Sequence, residues 1–208
     1  GSEVRVRGLH ADDRIAESAG AGERCALNLA GQGRETAKRG QWVIADYAHS
    51  PTARIDARIR VLASETRPLK HWTPAHIHLG TQDMTARIAT LEGEAIEPGE
   101  EGLVRLMLDR PVAAWVADRF IVRDQSAQRT MAGGRVLDPQ PPTRGRAHTR
   151  RLDYLRGVKT ADPAATLAHL TLTQPAGVEL DPYSRGWNLQ PAAVSSLLET
   201  SGLEVIGS

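Results

Sequence analysis

Apolar and charged residues alternate in short runs over the first two-thirds of the chain. Ile55, Ala57, Ile59, Val61 and Ala63 fall on one face, with Asp56, Arg58 and Arg60 on the other, which is the period-2 pattern of a half-buried strand. Val4–Arg7 alternates in the same way, and Arg24–Ala30 and Trp42–Asp46 supply two more short candidates. Further strands are predicted at Ala75–Gly80, Met84–Leu91, Leu103–Asp109, Arg119–Arg123 and Arg129–Leu137. They recur roughly every 10 residues, punctuated by Gly and Pro, as in an all-β barrel or sandwich. Pro68, Pro74 and Pro98 fall between strands, where a missing N–H does no harm. Gly31–Glu35 reads as a loop, and Ser50-Pro51 marks a first boundary.

The period then changes. Asp138-Pro139-Gln140-Pro141-Pro142 is a proline linker, stiff and extended. Beyond it, Asp162-Pro163 is an N-cap with proline at the first helical position, leading into Leu167 and Leu170. Gln190-Pro191 repeats the device ahead of Val194, Leu197 and Leu198, and Gly202 is placed to stop that helix. Leu203-Glu204-Val205-Ile206 could begin a strand. The expected organisation is therefore mainly β, a barrel or sandwich, followed by a small α-rich module that opens as a winged helix does.

Composition narrows the picture modestly. The 208 residues are 40% hydrophobic and 25% charged, which is ordinary for a globular protein. The longest apolar runs fall short of the roughly 20 residues of a membrane-spanning helix, and the N-terminus has no signal-peptide h-region. The one cysteine, Cys25, has no partner for an internal disulfide, so a reducing, cytoplasmic setting is expected. A net charge of +1 excludes a polybasic sheath for nucleic acid. Arginine nevertheless dominates the positive side, and Arg144–Arg156 is a local basic stretch, which permits a phosphate-bearing partner.

Phosphate-binding G-x-x-x-x-G-K-[ST], H-E-x-x-H, C-x-x-C and G-x-S-x-G patterns are all absent, so no catalytic residue is expected. His76-Ile77-His78 puts two imidazoles on one strand face. They could ligate a metal with a third group from His10, His71 or a carboxylate, or they could line a phosphate- or ribose-contacting surface. Arg24 is either a solvated edge charge or a fixed cation for a soft anionic group. Arg87, Arg123 and Arg129, on or beside strands, are either solvated or follow a nucleic-acid backbone. Aromatics make up 4% of the chain, too few for a base-stacking platform.

These residues carry a family resemblance. Val4–Ala11, Ala21–Gly31 and Arg39-Gly40-Gln41-Trp42-Val43 resemble the second half of barrel domain II of a translational GTPase. The wording is closer to the selenocysteine-specific elongation factor than to elongation factor Tu. His76-Ile77-His78 with Gln82–Ile88, and Phe120–Asp124 with Arg129–Val136, are similar to domain III of that family. Residues 143–208 resemble its linker and the opening of its first winged helix.

The resemblance implies antiparallel β-barrels and then a partial winged helix: a half barrel over 1–48, a six-stranded barrel over 50–140, a proline/arginine linker over 141–149 and the winged-helix opening over 150–208. It also implies an internal fragment of a factor that delivers selenocysteyl-tRNA to the ribosome at recoded UGA codons. Arg24 would line the aminoacyl pocket, and His76, His78, Arg87, Arg123 and Arg129 would face the tRNA. The fragment itself would be no enzyme and would hold no cofactor or metal. GTP and magnesium would bind a domain outside it, and the messenger hairpin would be read by further winged helices. Rival readings are another translational GTPase barrel pair, a metal-dependent β-barrel enzyme using His76 and His78, and a purely structural module.

Overall fold

The computed structural model describes residues 2–31, 35, 37–158, 162–174, 176–203 and 205–206. The chain divides into two compact units, Gly1–Gln41 and Trp42–Ser208.

In the first unit β1 (Arg5–Ala11), β2 (Arg14–Ala16) and β3 (Cys25–Ala30) form an antiparallel sheet in the order β2-β1-β3. Asp12 and Asp13 make the two-residue turn between β1 and β2, with φ of 47° and 64°. Positive φ at both positions is what the tightest hairpins require, and aspartate tolerates it better than most residues. Ala30 is the one buried residue in these strands. Ile15 is 86% exposed and Val6 45%, so the alternation here has no core to serve.

The second unit does have one. Its strands are β4 (Thr52–Val61), β5 (Leu69–Lys70), β6 (Thr73–Leu79), β7 (Gln82–Thr90), β8 (Ala95–Ile96), β9 (Glu101–Val112), β10 (Arg119–Arg123) and β11 (Thr130–Asp138). Six of them close an antiparallel barrel in the order β10-β11-β4-β9-β7-β6, and β5 pairs with β8. Ile55, Ala57, Ile59 and Val61 point inward, as the alternation predicts, and meet Ile77, Ile88, Val104, Leu106, Phe120, Val122 and Val136. Gly134 allows the closest approach in the wall, because a Cβ there would sit 2.3 Å from the Arg58 carbonyl oxygen and 2.6 Å from the Phe120 ring.

Four helices follow: α1 (Thr149–Gly157), α2 (Pro163–Thr173), α3 (Leu180–Gly186) and α4 (Pro191–Ser201). Asp162 caps α2 by accepting from the Ala165 N–H at 3.0 Å, with Pro163 at the first turn. Gly202, at φ 61°, ends α4. Both devices are as the sequence predicts. Leu155 of α1, with Val158 just after it, packs on Leu91, Leu103 and Leu137 from the outside of the barrel. A third cluster joins Leu167, Leu170 and Tyr183 of α2 and α3.

Beneath α1 lies a buried ionic network. Arg105, Asp56 and Asp138 stand opposite one another across β9, β4 and β11. Arg105 donates to Asp56 from Nε at 2.6 Å and from Nη2 at 2.9 Å, and its Nη1 donates to the Pro142 carbonyl at 2.7 Å. From α1, Arg151 donates to Asp56 at 2.6 and 2.9 Å and to Asp138 at 2.6 Å. Its guanidinium lies 4.7 Å over the Tyr154 ring, a favourable cation–π placement. Two carboxylates and two guanidinia neutralise one another, so each buried charge is paired and hydrogen-bonded.

Several expectations are corrected. Asp56 does point outward, as the alternation predicts, but α1 covers it and it is fully buried. Trp42–Asp46 is not a strand, and Asp46–Ala48 forms a 3-10 turn. A closed barrel offers no free edge for it to pair with, and Trp42 instead packs edge-on against Trp115, with ring centroids 5.4 Å apart. Leu203, Val205 and Ile206 are not in a strand. Gln32, Gly33 and Arg34 of the predicted loop, and Glu204, lie outside the described residues. The two-residue strands β5 and β8, the three-residue β2 and the charge-rich α1 carry too little periodicity to be predicted.

Candidate nucleic-acid interface

β6 and β10 are neighbours, and their outward positions coincide. His76 stands opposite Arg123, and His78 opposite Ile121. On the other side of β6, a two-residue turn at Gly80-Thr81 brings Asp83 of β7 opposite His78 and Thr85 opposite His76. The hairpin thus delivers one carboxylate to both imidazoles. His76 Nδ1 lies 3.0 Å from Asp83 Oδ1 and His78 Nε2 lies 3.9 Å from it. The hydrogen bond from His76 holds the Asp83 carboxyl below its ordinary value, against a partial desolvation that acts the other way. Arg110 donates to the Asp83 backbone carbonyl at 2.5 Å.

The arginines are arranged around this cluster. Arg123 donates from Nη2 to the Gln128 carbonyl at 3.1 Å. Arg129 precedes β11 and is ion-paired with Glu65. Arg87, on β7, reaches the Trp72 carbonyl at 3.4 Å. Asp124 organises the turn between β10 and β11, accepting from Arg129 N–H at 2.9 Å, Gln128 N–H at 2.8 Å and Ser126 Oγ at 2.6 Å. These bonds, led by that from the Arg129 backbone, lower its carboxyl to about 2. Five of the six predicted residues therefore share the outer wall of β7, β6, β10 and β11.

Arg24 belongs to the first unit. It immediately precedes β3, and its Nη2 donates to Asp13 at 2.8 Å, both side chains being exposed. Sequence reasoning missed Asp83, Asp124 and Glu65. Asp83 was within reach, since a two-residue turn after Leu79 fixes what stands opposite His78.

Among the described residues, the buried side-chain nitrogens without a hydrogen-bond partner are His78 Nε2 and Arg123 Nε. Both belong to this cluster. Unsatisfied buried polar nitrogens are costly, and both of these belong to neighbouring strands of one wall. Among the same residues, no group of three or more His, Cys, Asp or Glu side chains could hold a metal ion. His71, one of the third ligands considered, is engaged at 3.1 Å with Thr90 Oγ1. No described helix is long and apolar enough to cross a membrane.

Comparison with known proteins decides the family. A model of the β-barrel domain of selenocysteine-specific elongation factors matches residues 56–143. The chain is 35% identical over 202 residues to the selenocysteine-specific elongation factor of Escherichia coli (strain K12), covering 96% of this chain and 30% of that relative. The chain belongs to the selenocysteine-specific elongation factor family. The factor from Desulfomicrobium baculatum is 34% identical over 84% of the chain, covering 27% of that relative. A crystal structure of the bacterial selenocysteine-specific elongation factor EF-Sec shares the fold, with a TM-score of 0.65 at 20% identity, over 90% of this chain and 29% of that one. This chain thus spans about a third or less of the length of the family members it matches.

Proposed function

We propose that this segment supplies the surface with which a selenocysteine-specific elongation factor holds selenocysteyl-tRNA, for delivery to the ribosome at recoded UGA codons. The observation that carries it is the convergence of His76, His78 and Arg123 on neighbouring strands, with two buried nitrogens, His78 Nε2 and Arg123 Nε, lacking a hydrogen-bond partner, on a wall that also presents Arg87 and Arg129. Phosphate oxygens of the tRNA backbone are suitable acceptors for the guanidinia and imidazoles of such a wall. In this reading residues 1–48 are the later part of the second barrel domain, 50–140 the third and 150–208 the opening of a winged helix. The segment binds rather than catalyses and needs no cofactor of its own. GTP, magnesium and the messenger hairpin would engage other parts of a longer, cytoplasmic protein.

Arg24 is the residue for the aminoacyl group. Its guanidinium is exposed and steadied by Asp13, so it can offer a fixed cation to a selenol, which is anionic at neutral pH. The test is a titration of labelled selenocysteyl-tRNA beside an ordinary aminoacylated elongator tRNA, at two salt concentrations. Salt-dependent binding that prefers the selenocysteine species, and loses that preference in Arg24→Ala, is the expected result. Equal binding to both species by the unsubstituted protein would refute selenocysteine selection by this segment.

A further inference from the structure

A row of uncompensated charge on the barrel lies beside the site just described. Arg58 of β4, Arg135 of β11 and Arg119 of β10 stand directly opposite one another in a single transverse row. Inward-facing Ala57, Ile59, Phe120 and Val136 flank them in sequence, so all three point away from the core. Adjacent strands lie about 4.8 Å apart, which sets three guanidinium stems side by side over roughly 10 Å. Like charges directly opposite each other weaken a sheet. None of the three has an ion pair with a described carboxylate. Of the carboxylates near them by register, Asp56, two positions from Arg58, is taken by Arg105 and Arg151, and Glu101 by Arg60 at 3.5 Å. Arg105 and Arg151, by contrast, are fully partnered beneath α1.

A second observation points the same way. Gly133 precedes Gly134 on β11 and faces the other side of the sheet, opposite Arg60 and Ile121. A Cβ at Gly134 would collide with the wall, but one at Gly133 would meet nothing closer than 3.5 Å, at the Phe120 carbonyl. Its φ is not in the left-handed region. Packing and backbone therefore both admit a Cβ at Gly133, although glycine weakens a strand interior. A bare strand floor next to three unpaired guanidinia is what a close-approaching anionic chain requires. Arginine's planar fork suits phosphate diesters in particular.

We infer that the Arg58–Arg135–Arg119 row and the bare floor at Gly133 hold a second stretch of RNA sugar-phosphate backbone. The inference rests on the RNA-binding reading of the same barrel but uses none of its residues. It extends the RNA-facing surface from β6 across β10 and β11 to β4, with half-exposed Ile121 between the two sets.

The test uses the full 208-residue chain with a plain RNA hairpin of A-form stem, selenocysteyl-tRNA and polyglutamate as probes, over a range of salt. In the triple variant R58A/R119A/R135A, hairpin affinity should fall and the slope of log K against log salt should drop by about 2 to 3, at roughly 0.9 for each phosphate no longer neutralised. Its melting temperature should hold or rise, because like-charge repulsion is removed. Gly133→Val should weaken hairpin binding by about tenfold while leaving the melting temperature intact, an outcome that a merely structural glycine does not produce.

Absence of hairpin binding, or unchanged slopes in both variants, would overturn the inference. So would loss of polyglutamate binding with RNA binding untouched, which would make the row a dock for an acidic protein segment. If the unsubstituted protein fails to prefer selenocysteyl-tRNA yet binds the hairpin through this row, selenocysteine selection fails and the row stands. If selenocysteyl-tRNA is selected but neither variant changes its slope, the row fails and the earlier reading stands.

Discussion

The three-stranded sheet of the first unit and the six-stranded barrel of the second follow the same antiparallel pairing and the same alternation of apolar and polar residues. In the barrel, alternation separates an inside from an outside: Ile55, Ile59, Ile77, Ile88 and Leu106 are all essentially inaccessible. In the sheet, Val6 and Ile15 alternate just as regularly but remain open to solvent, because three strands cannot close on themselves. Alternation therefore determines which side a residue faces, and closure determines whether facing inward is worth anything. The charges follow the same division. Asp56 and Arg105 are buried under a helix with their closest contact at 2.6 Å, whereas Arg24 and Asp13 meet at 2.8 Å in solvent.

Removing one charge from the buried network should have the largest effect. Asp56→Ala strands two guanidinia that lose their main partner, so destabilisation of the barrel by about 3–5 kcal/mol is expected from urea unfolding. Arg24→Ala, in the exposed pair, should leave the unfolding midpoint unchanged, since surface pairs contribute little. Equal effects at the two sites would show that burial does not govern this chain's ion pairs.

A smaller effect tests closure itself. Gly134→Ala forces a methyl group against the Arg58 carbonyl and the Phe120 ring and should cost about 1–3 kcal/mol as the wall yields. Gly8→Ala, in β1, meets nothing nearer than the Asn28 Cβ at 3.9 Å and should be tolerated. Hydrogen exchange of the unsubstituted protein completes the contrast. Amides of β4, β9 and β11 should exchange through global unfolding, and those of β1–β3 through local opening.

How much was legible follows from the same physics. The barrel strands with a clean period of 2 were readable because both their faces have a fixed fate. Asp56 was legible as outward-facing but not as buried, since the helix that covers it lies about 95 positions along the chain and reads as a string of charges, Arg150, Arg151, Asp153 and Arg156. Trp42–Asp46 misled because an apolar, strand-like run was being used as an anchor against Trp115. At the candidate site, His76, His78 and Arg123 were identifiable by residue type and spacing. That they converge was not, because the β6–β10 pairing closes the barrel between segments more than 40 positions apart.

The smallest effect expected is in the two carboxylates at the ends of β10, and it has opposite signs at the two ends. Asp118 accepts from the Trp115 N–H at 2.9 Å, but burial outweighs that bond and raises its pKa. Its contribution to stability is fullest below the unfolded value of about 3.9 and is lost as pH rises through the folded value. Asp124 is depressed to about 2, chiefly by the Arg129 N–H. Its contribution is full above about pH 4 and is lost as pH falls toward 2. Carboxyl carbon shifts followed by NMR should therefore show Asp124 titrating last on acidification and Asp118 first. In Asp124→Asn the acid limb of the stability profile should flatten while Asp118 keeps its midpoint. If both groups titrated near the ordinary aspartate value, the turn that presents Arg123 and Arg129 would not be held by Asp124, and the barrel's outer wall would be as loosely organised as the open sheet.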